Sequence, residues 1–247
     1  MSFLDLFFPK FCRHCGESFK DGLSNILCAA CFDSIKPYAD PRCGHCGISL
    51  PPGAFEGSVR ARCLDCGGGD YALEGTRAFG AYAGPLRLAH HAFKFEGMES
   101  LARKLAGRMA GEIPDSFWDG VAALVPVPLS PERERERGYH PARLLARTLA
   151  ASAGKPLGDW LRKKVSTPAQ MSLPREKRLR SLRGVFAYAG PREIPSSLVL
   201  VDDVLTTGAT LEECAKTLRA AGCPRVRAVV FGRTPRNFHG DPASEPL

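Results

Sequence analysis

The apolar positions are most regular towards the C-terminal end of the chain. Ser197–Val201 reads SLVLV, an unbroken β-rich run of the kind found in strands covered on both faces. Downstream, Leu211, Cys214, Ala215 and Leu218 recur at i, i+3, i+4 and i+7, one apolar stripe of a helix. Gly222 stands where a left-handed cap is expected and Pro224 blocks continuation, so that helix ends there. Residues 225–232, RVRAVVFG, predict another strand.

The same alternation of elements runs back along the chain. Residues 75–85 alternate like an edge hairpin strand, and two helical stretches follow at 86–96 and 98–111, broken by Gly97. VAALVPVP (121–128) is a strand-like run ended by prolines. A helix follows with Ala142, Leu145, Ala146 and Leu149 on one face. WLRKKV (160–165) reads as a strand, and 166–186 as a basic loop holding a short helix. Strands alternating with helices from about 75 to 232 predict an α/β class with a mostly parallel sheet flanked by helices. Leu4, Leu6, Phe7 and Phe8 form a greasy patch expected to dock the N-terminus. The tail 235–247 has no period and is expected to fray.

The segment VLVDDVLTTGAT (199–210) places chemistry on this frame. Asp202 and Asp203 fall at the carboxyl end of a strand, and Thr206, Thr207, Gly208, Ala209 and Thr210 form the turn into a helix. Ligands of open parallel sheets bind at that edge. Backbone N–H groups, Thr hydroxyls and the helix N-terminus suit a terminal phosphate, and Gly208 admits it without a clashing Cβ. The two acids would repel that phosphate, but acceptor-only carboxylates suit vicinal hydroxyls and a divalent cation. A 5-phosphorylated ribose meets both requirements. The bland reading is an ordinary strand–turn–helix with exposed acids; the match of motif to its expected context weighs against it.

The composition is that of a globular chain: 247 residues, 44% hydrophobic and 24% charged. No apolar run approaches a membrane span, so no membrane insertion is expected. MSFLDLFFPKFC is interrupted by Asp5 and lacks a basic n-region and a cleavage site. Cytoplasmic residence is the expectation. The net charge of +8 suits anionic small molecules and nucleic acid alike. The Arg/Glu run at 132–137 alternates in sign and reads as a solvated helix face, except that Arg137–Gly138 lies near the ligand edge.

Eight of the ten cysteines form C-x-x-C pairs: Cys12/Cys15, Cys28/Cys31, Cys43/Cys46 and Cys63/Cys66. CGHC at 43–46 looks like a thiol–disulfide active site, but such a site needs one pair in a βαβ setting, not four. Two pairs supply the four thiolates of a tetrahedral zinc, so eight cysteines make two closed structural sites. Gly16, Gly47 and Gly67 follow three of the pairs and suit knuckle turns, whereas LCAACFDSI reads as a helix start. Sequential pairing groups Cys12, Cys15, Cys28 and Cys31 on one ion and Cys43, Cys46, Cys63 and Cys66 on the other. A crossed pairing uses the same eight. His14 and His45 read as exposed knuckle residues, and Cys214 and Cys223 as core.

These motifs carry a resemblance. Asp-Asp followed by Thr-Thr-Gly-x-Thr resembles the phosphoribosyl-pyrophosphate (PRPP) signature of type I phosphoribosyltransferases. The order of paired cysteines, FKF, VPVPL, RGY, TPAQ and VDDVLTTGAT resembles the ComF family of competence-associated proteins over roughly residues 4–234. The resemblance implies a double zinc-ribbon module at 1–69 and a phosphoribosyltransferase-like domain at 75–234, with Mg²⁺ accompanying PRPP. It implies ribose contacts from Asp202 and Asp203 and 5-phosphate contacts from Thr206–Thr210. Lys94, Arg133 and Arg137 would face pyrophosphate, and Thr167, Gln170 and Arg178 would belong to a loop closing over PRPP. Tyr139-His140-Pro141 departs from the family's Phe-Asn-Gln, and Ser181 from its Asn. The activity implied is phosphoribosyl transfer with loss of pyrophosphate. Two alternatives stand beside it: a PRPP sensor without turnover, and a protein handling single-stranded DNA or its uptake machinery. For DNA, the cysteine module and the basic stretches Leu161–Lys164 and Arg175–Arg183 would meet phosphates, apart from the PRPP pocket.

Overall fold

The computed structural model describes residues 10–53, 61–164 and 182–234; Leu4, Leu6, Phe7, Phe8, Thr167, Gln170, Arg178, Ser181 and the tail from 235 lie outside these. The chain enters through two small antiparallel pairs. They are β1 (Lys10–Phe11) with β2 (Ser18–Phe19), and β3 (Gly22–Leu23) with β4 (Leu27–Cys28). Helix α1 (Ala29–Asp33) follows, starting at the second cysteine pair as its sequence suggests.

The chain then reaches the main sheet at β5 (Gly75–Ala81). Helices α2 (Gly84–Phe95) and α3 (Ser100–Gly111) are separated by Gly97 at φ +70, a left-handed turn that a residue with a Cβ rarely takes. Next come β6 (Ala123–Pro126), α4 (Pro131–Arg137) and α5 (Pro141–Ser152). A two-stranded antiparallel pair, β7 (Leu161–Lys163) with β8 (Phe186–Tyr188), stands apart from the main sheet. β9 (Ser197–Leu205), α6 (Ala209–Ala220) and β10 (Arg225–Arg233) close the described chain.

The main sheet runs β5-β10-β9-β6, every pairing parallel. This is the expected α/β class, with one correction at its edge. β5 is an edge strand but not half of a hairpin: its partner is β10, with Gly75 opposite Arg227. Alternation shows that a strand has two unlike faces and is silent on which strand it pairs with. Similarly, β9 runs on through both acids to Leu205, because its ladder with β10 continues from Val230 opposite Asp202 to Gly232 opposite Val204.

Each sheet face has its own core. Val199, Val201, Val229 and Phe231 pack with α2, α3 and α5, while Leu198, Leu200, Ala228 and Val230 pack with α6. The stripe Ala142, Leu145, Ala146 and Leu149 is buried, as are Leu211, Cys214, Ala215 and Leu218, so both helical periods hold. Truncating Leu145 to Ala should cost about 2–5 kcal/mol, the range for a fully buried leucine. The Arg/Glu run forms α4 with none of its residues buried, capped by the Ser130 side chain at its start and by Gly138, φ +79, at its end.

The second cysteine region lies along the outer side of β5. Tyr38 N–H donates to Phe79 O (2.7 Å), and Pro37 bridges Gly80. A Cβ on Gly47 would lie 2.5 Å from Thr76 O and 2.6 Å from Ala78 N, so this knuckle touches the strand backbone.

Candidate ribose-phosphate site

β9 delivers its two acids to different faces of the sheet. Val199 and Val201 lie on the side of α2, and Leu198 and Leu200 on the side of α6. The strand period of two therefore turns Asp203 towards α2 and Asp202 towards α6.

On the α2 side, Lys94 Nζ is 2.5 Å from Asp203 Oδ2, and His90 Nε2 is 3.2 Å from the same oxygen. His90 is buried, and its Nδ1 lies 2.9 Å from the Tyr82 hydroxyl. The Tyr82 hydroxyl meets the ring at Nδ1, while Nε2 faces the carboxylate at 3.2 Å without an aligned hydrogen bond. Burial pushes the His90 pKa down despite Asp203, which keeps the ring neutral. Burial also opposes ionisation of Asp203, but Lys94 and then His90 hold its carboxyl well below the usual range. Asp202 behaves oppositely. Burial, followed by the Asp203 charge, pushes it up to about 8. Asp203 is thereby biased to a salt-bridged carboxylate and Asp202 beside it towards its protonated form.

Lys94 and Arg137 come together over Phe95, an aromatic ring half in solvent. Lys94 Nζ is 5.8 Å and Arg137 Cζ 5.1 Å from the ring centroid. Arg137 Nη1 is buried without a hydrogen-bond partner among the described residues, and burial lowers the guanidinium's pKa. A desolvated cation with unused donors is a ready partner for an anion. Arg133 lies in the first turn of α4, its backbone N–H donating to Ser130 Oγ (3.4 Å).

The turn begins at exposed Thr206 and has Gly208 at φ +83, just before the first residue of α6, Ala209. Thr207 Oγ1 accepts from the Ala209 N–H (3.4 Å), and Thr210 is half-buried in the first turn of the helix. Beneath the turn Arg233 is only 2% exposed, yet it shows no ion pair to a carboxylate among the described residues. Its Nη1 donates to Thr206 O (3.2 Å) and Thr234 O (2.6 Å). Carbonyls orient that guanidinium without cancelling its charge, so it adds positive potential under the turn.

Two residues and one segment sit differently from what their sequence suggests. Lys163 is half-buried rather than fully exposed, and burial, followed by the nearby Arg133, lowers its ammonium's pKa. His45 is not an exposed knuckle residue: its ring stacks on Tyr71 at 3.5 Å and its Nε2 is 3.9 Å from Glu212 Oε1. Glu212 in turn accepts the Ala72 N–H (2.9 Å), which ties α6 to the cysteine module. The departure at 139–141 is a structural joint. The Tyr139 hydroxyl donates to Phe93 O, His140 Nδ1 caps α5 at the Arg143 N–H, and Pro141 takes the first helical position.

Sequence reading missed His90, Tyr82, Arg233 and Glu212. His90 had a signal, since it stands four residues before Lys94 on a predicted helix and shares its face. Arg233 had none, because a charge at a strand end looks solvated until the neighbouring elements cover it.

The cysteines form two sequential tetrads, Cys12/15/28/31 and Cys43/46/63/66, with all ligand atoms of each within 4.8 Å of one another. Cys15 and Cys28 Sγ are 3.9 Å apart, and Cys46 and Cys63 Sγ 3.8 Å. Tetrahedral zinc with bonds of about 2.3 Å separates its sulfurs by about 3.8 Å, so the donor sets fit. Cys43 Sγ also accepts the Cys46 and Cys63 N–H groups (3.5 and 3.3 Å), which suits a thiolate.

A family model described as "Double zinc ribbon domain" matches residues 3–67, and one described as "Phosphoribosyl transferase domain" matches residues 102–237. The chain is 32% identical over 228 residues to "Competence protein F" of Haemophilus influenzae, covering 90% of this chain and 96% of that one. It is 28% identical over 202 residues to "Competence protein ComFC" of Bacillus subtilis, covering 79% of each chain. To "DNA utilization protein YhgH" of Salmonella typhimurium it is 28% identical over 220 residues, covering 84% of this chain and 90% of that one.

Proposed function

This chain belongs to the ComF competence-protein family and carries a phosphoribosyltransferase domain, and on that premise we propose that it binds PRPP and transfers its 5-phosphoribosyl group. The observation that carries the reading is the cluster at the strand ends. A carboxylate pair, a left-handed glycine turn and the cations Lys94 and Arg137 lie at the strand ends, where a ribose 5-phosphate meets both needs, with Arg133 assigned beside them by the family resemblance.

In this reading the Thr206–Thr210 turn holds the 5-phosphate, with Arg233 beneath it, and Asp202 and Asp203 accept the ribose hydroxyls. The new bond forms at C1 as the C1–O bond to pyrophosphate breaks, and the electron pair leaves on the pyrophosphate. Lys94, Arg133 and Arg137 offset the charge that builds there, so positioning and electrostatics do the catalytic task without a covalent nucleophile. Mg²⁺ arriving with PRPP would supply further neutralisation, and Asp202, which shows no ion pair among the described residues, is the carboxylate suited to it. Lys94 must shift from Asp203 to the leaving group as substrate binds.

Two zinc ions bound by the tetrads belong to the same reading, as fixed parts of the scaffold. A role in DNA use is the second reading, supported by the +8 charge and the name of the Salmonella relative. Pyrophosphate release from Mg²⁺–PRPP, tested against nucleobases, amines and single-stranded DNA, separates the readings. Turnover with any acceptor supports the transferase. PRPP binding with no turnover replaces it by a sensor or DNA-handling role.

A further inference from the structure

A cavity of about 820 Å³ opens between the second cysteine region and the amino-terminal ends of β5 and β10, away from the edge that carries Asp202 and Thr206. It is lined by five arginines, whose positive charge exceeds that of the three acids beside them. Four of those guanidiniums donate to backbone carbonyls, and one of them, Arg42, also lies 3.4 Å from the Asp40 carboxylate. Arg42 donates to Ala78 O (3.0 Å), Arg62 to Gly69 O (2.6 Å), Arg219 to Ala72 O (3.2 Å) and Arg227 to Asp119 O (3.2 Å). A carbonyl fixes the direction of a guanidinium and leaves its charge uncancelled. The fifth, Arg77, shares the exposed Asp40.

The side chain of Arg42 is 9% exposed, and its Nε is buried with no hydrogen bond among the described residues; the nearest carboxylate oxygen, on Asp40, is 3.4 Å off. Such a desolvated donor is costly unless a ligand meets it. Two of the cations also lie over aromatic rings, Arg62 over Tyr71 (5.3 Å) and Arg227 over Phe117 (4.8 Å). A guanidinium held against a ring is a flat, oriented group of the kind on which a base can stack.

We propose that this cleft is a second binding site, for a nucleoside monophosphate unit, with its phosphate on the arginines and its base on the guanidinium–aromatic stacks. The volume lies within the range of small-molecule sites. The unit is a free nucleotide or one residue of a single strand, since both present the same chemistry. The site stands independently of PRPP binding.

The test is calorimetry on the full-length zinc-loaded protein with three probes: inorganic phosphate, thymidine 5′-monophosphate and dT10. Thymidine monophosphate should bind at least tenfold tighter than phosphate, and the affinity should fall with added salt. Arg219→Glu, on an exposed side chain, and Arg62→Ala should each lower that affinity tenfold or more. Zinc content and melting temperature report that these variants remain folded. Arg103→Glu, an exposed position on α3 outside the cleft, controls for net charge and should change affinity less than twofold. Equal affinity for dT10 and the monophosphate marks a free nucleotide as the ligand, and much tighter dT10 binding marks a strand. The proposal is overturned by no nucleotide binding at low salt, by phosphate binding as tightly as the nucleotide, or by equal losses in Arg103→Glu and Arg219→Glu.

Discussion

Lys94 Nζ and Asp203 Oδ2 lie 2.5 Å apart, an ion pair that joins the last turn of α2 to the carboxyl end of β9. Removing the ammonium as Lys94→Met leaves a mostly buried carboxylate with the Val204 N–H (2.7 Å) as its remaining hydrogen-bond donor and the His90 ring nearby. The expected cost is about 1–3 kcal/mol, below the 3–5 of a fully buried pair because Lys94 is partly in solvent. The depressed Asp203 pKa makes this stabilisation present above the unfolded carboxylate value, and it is lost as pH falls through the lower folded value. Urea unfolding of wild type and variant should therefore differ most at neutral pH and converge in acid. Identical midpoints at pH 7 would remove Lys94 as the partner of Asp203.

Asp202, with its pKa pushed up to about 8, should make PRPP binding depend on pH. Below that value the acid must lose its proton before it accepts a hydroxyl or a cation, so binding releases a proton and tightens as pH rises towards 8. Folding stability runs the other way. The folded state keeps a proton that the unfolded chain gives up near pH 4, so this group's contribution declines between those values. Calorimetry at pH 7 in two buffers of different ionisation enthalpy measures the release. Asp202→Asn should abolish it while leaving zinc content unchanged.

Gly208 sits at φ +83, and a Cβ there would find only Leu205 Cδ1 at 3.5 Å. The protein itself has room, so Gly208→Val should still fold, losing about 1–3 kcal/mol to backbone strain. It should fail to bind PRPP, because the branched side chain fills the approach to the turn. A variant that folds and binds PRPP as wild type does would move the 5-phosphate elsewhere.

Arg137→Ala should lose most of any pyrophosphate release while still binding PRPP, since its buried, unused donors suit charge that grows as the bond breaks. Equal losses of binding and rate would instead make it a ground-state contact.

Elemental analysis should find two zinc ions per chain. Gly47→Val would set its Cβ 2.5 Å from Thr76 O and force the second knuckle off β5. That variant should keep zinc in the first tetrad and melt at a lower temperature. An unchanged melting temperature would mean that the knuckle contributes nothing to the sheet.

The sequence by itself determined every feature that depends on local spacing. The C-x-x-C pairs announced two four-thiolate sites, because a metal needs its ligands on tight turns. The stripe at Leu211, Cys214, Ala215 and Leu218 announced a helix, because period 3.6 maps directly onto one face. Asp202, Asp203 and Thr206–Thr210 were legible as a strand end and turn for the same reason. Only the tertiary structure decided what meets across the chain. It paired β5 with β10 rather than in a hairpin, and it turned Asp202 and Asp203 to opposite faces, which biases Asp202 towards its protonated form and ion-pairs Asp203. It also brought Tyr82 and His90 up to Asp203 and tucked Arg233 beneath Thr206. It set five arginines around one cleft. Protonation states and ion pairs depend on burial and on distances of a few ångströms between residues far apart in sequence, and those distances exist only once the chain has packed.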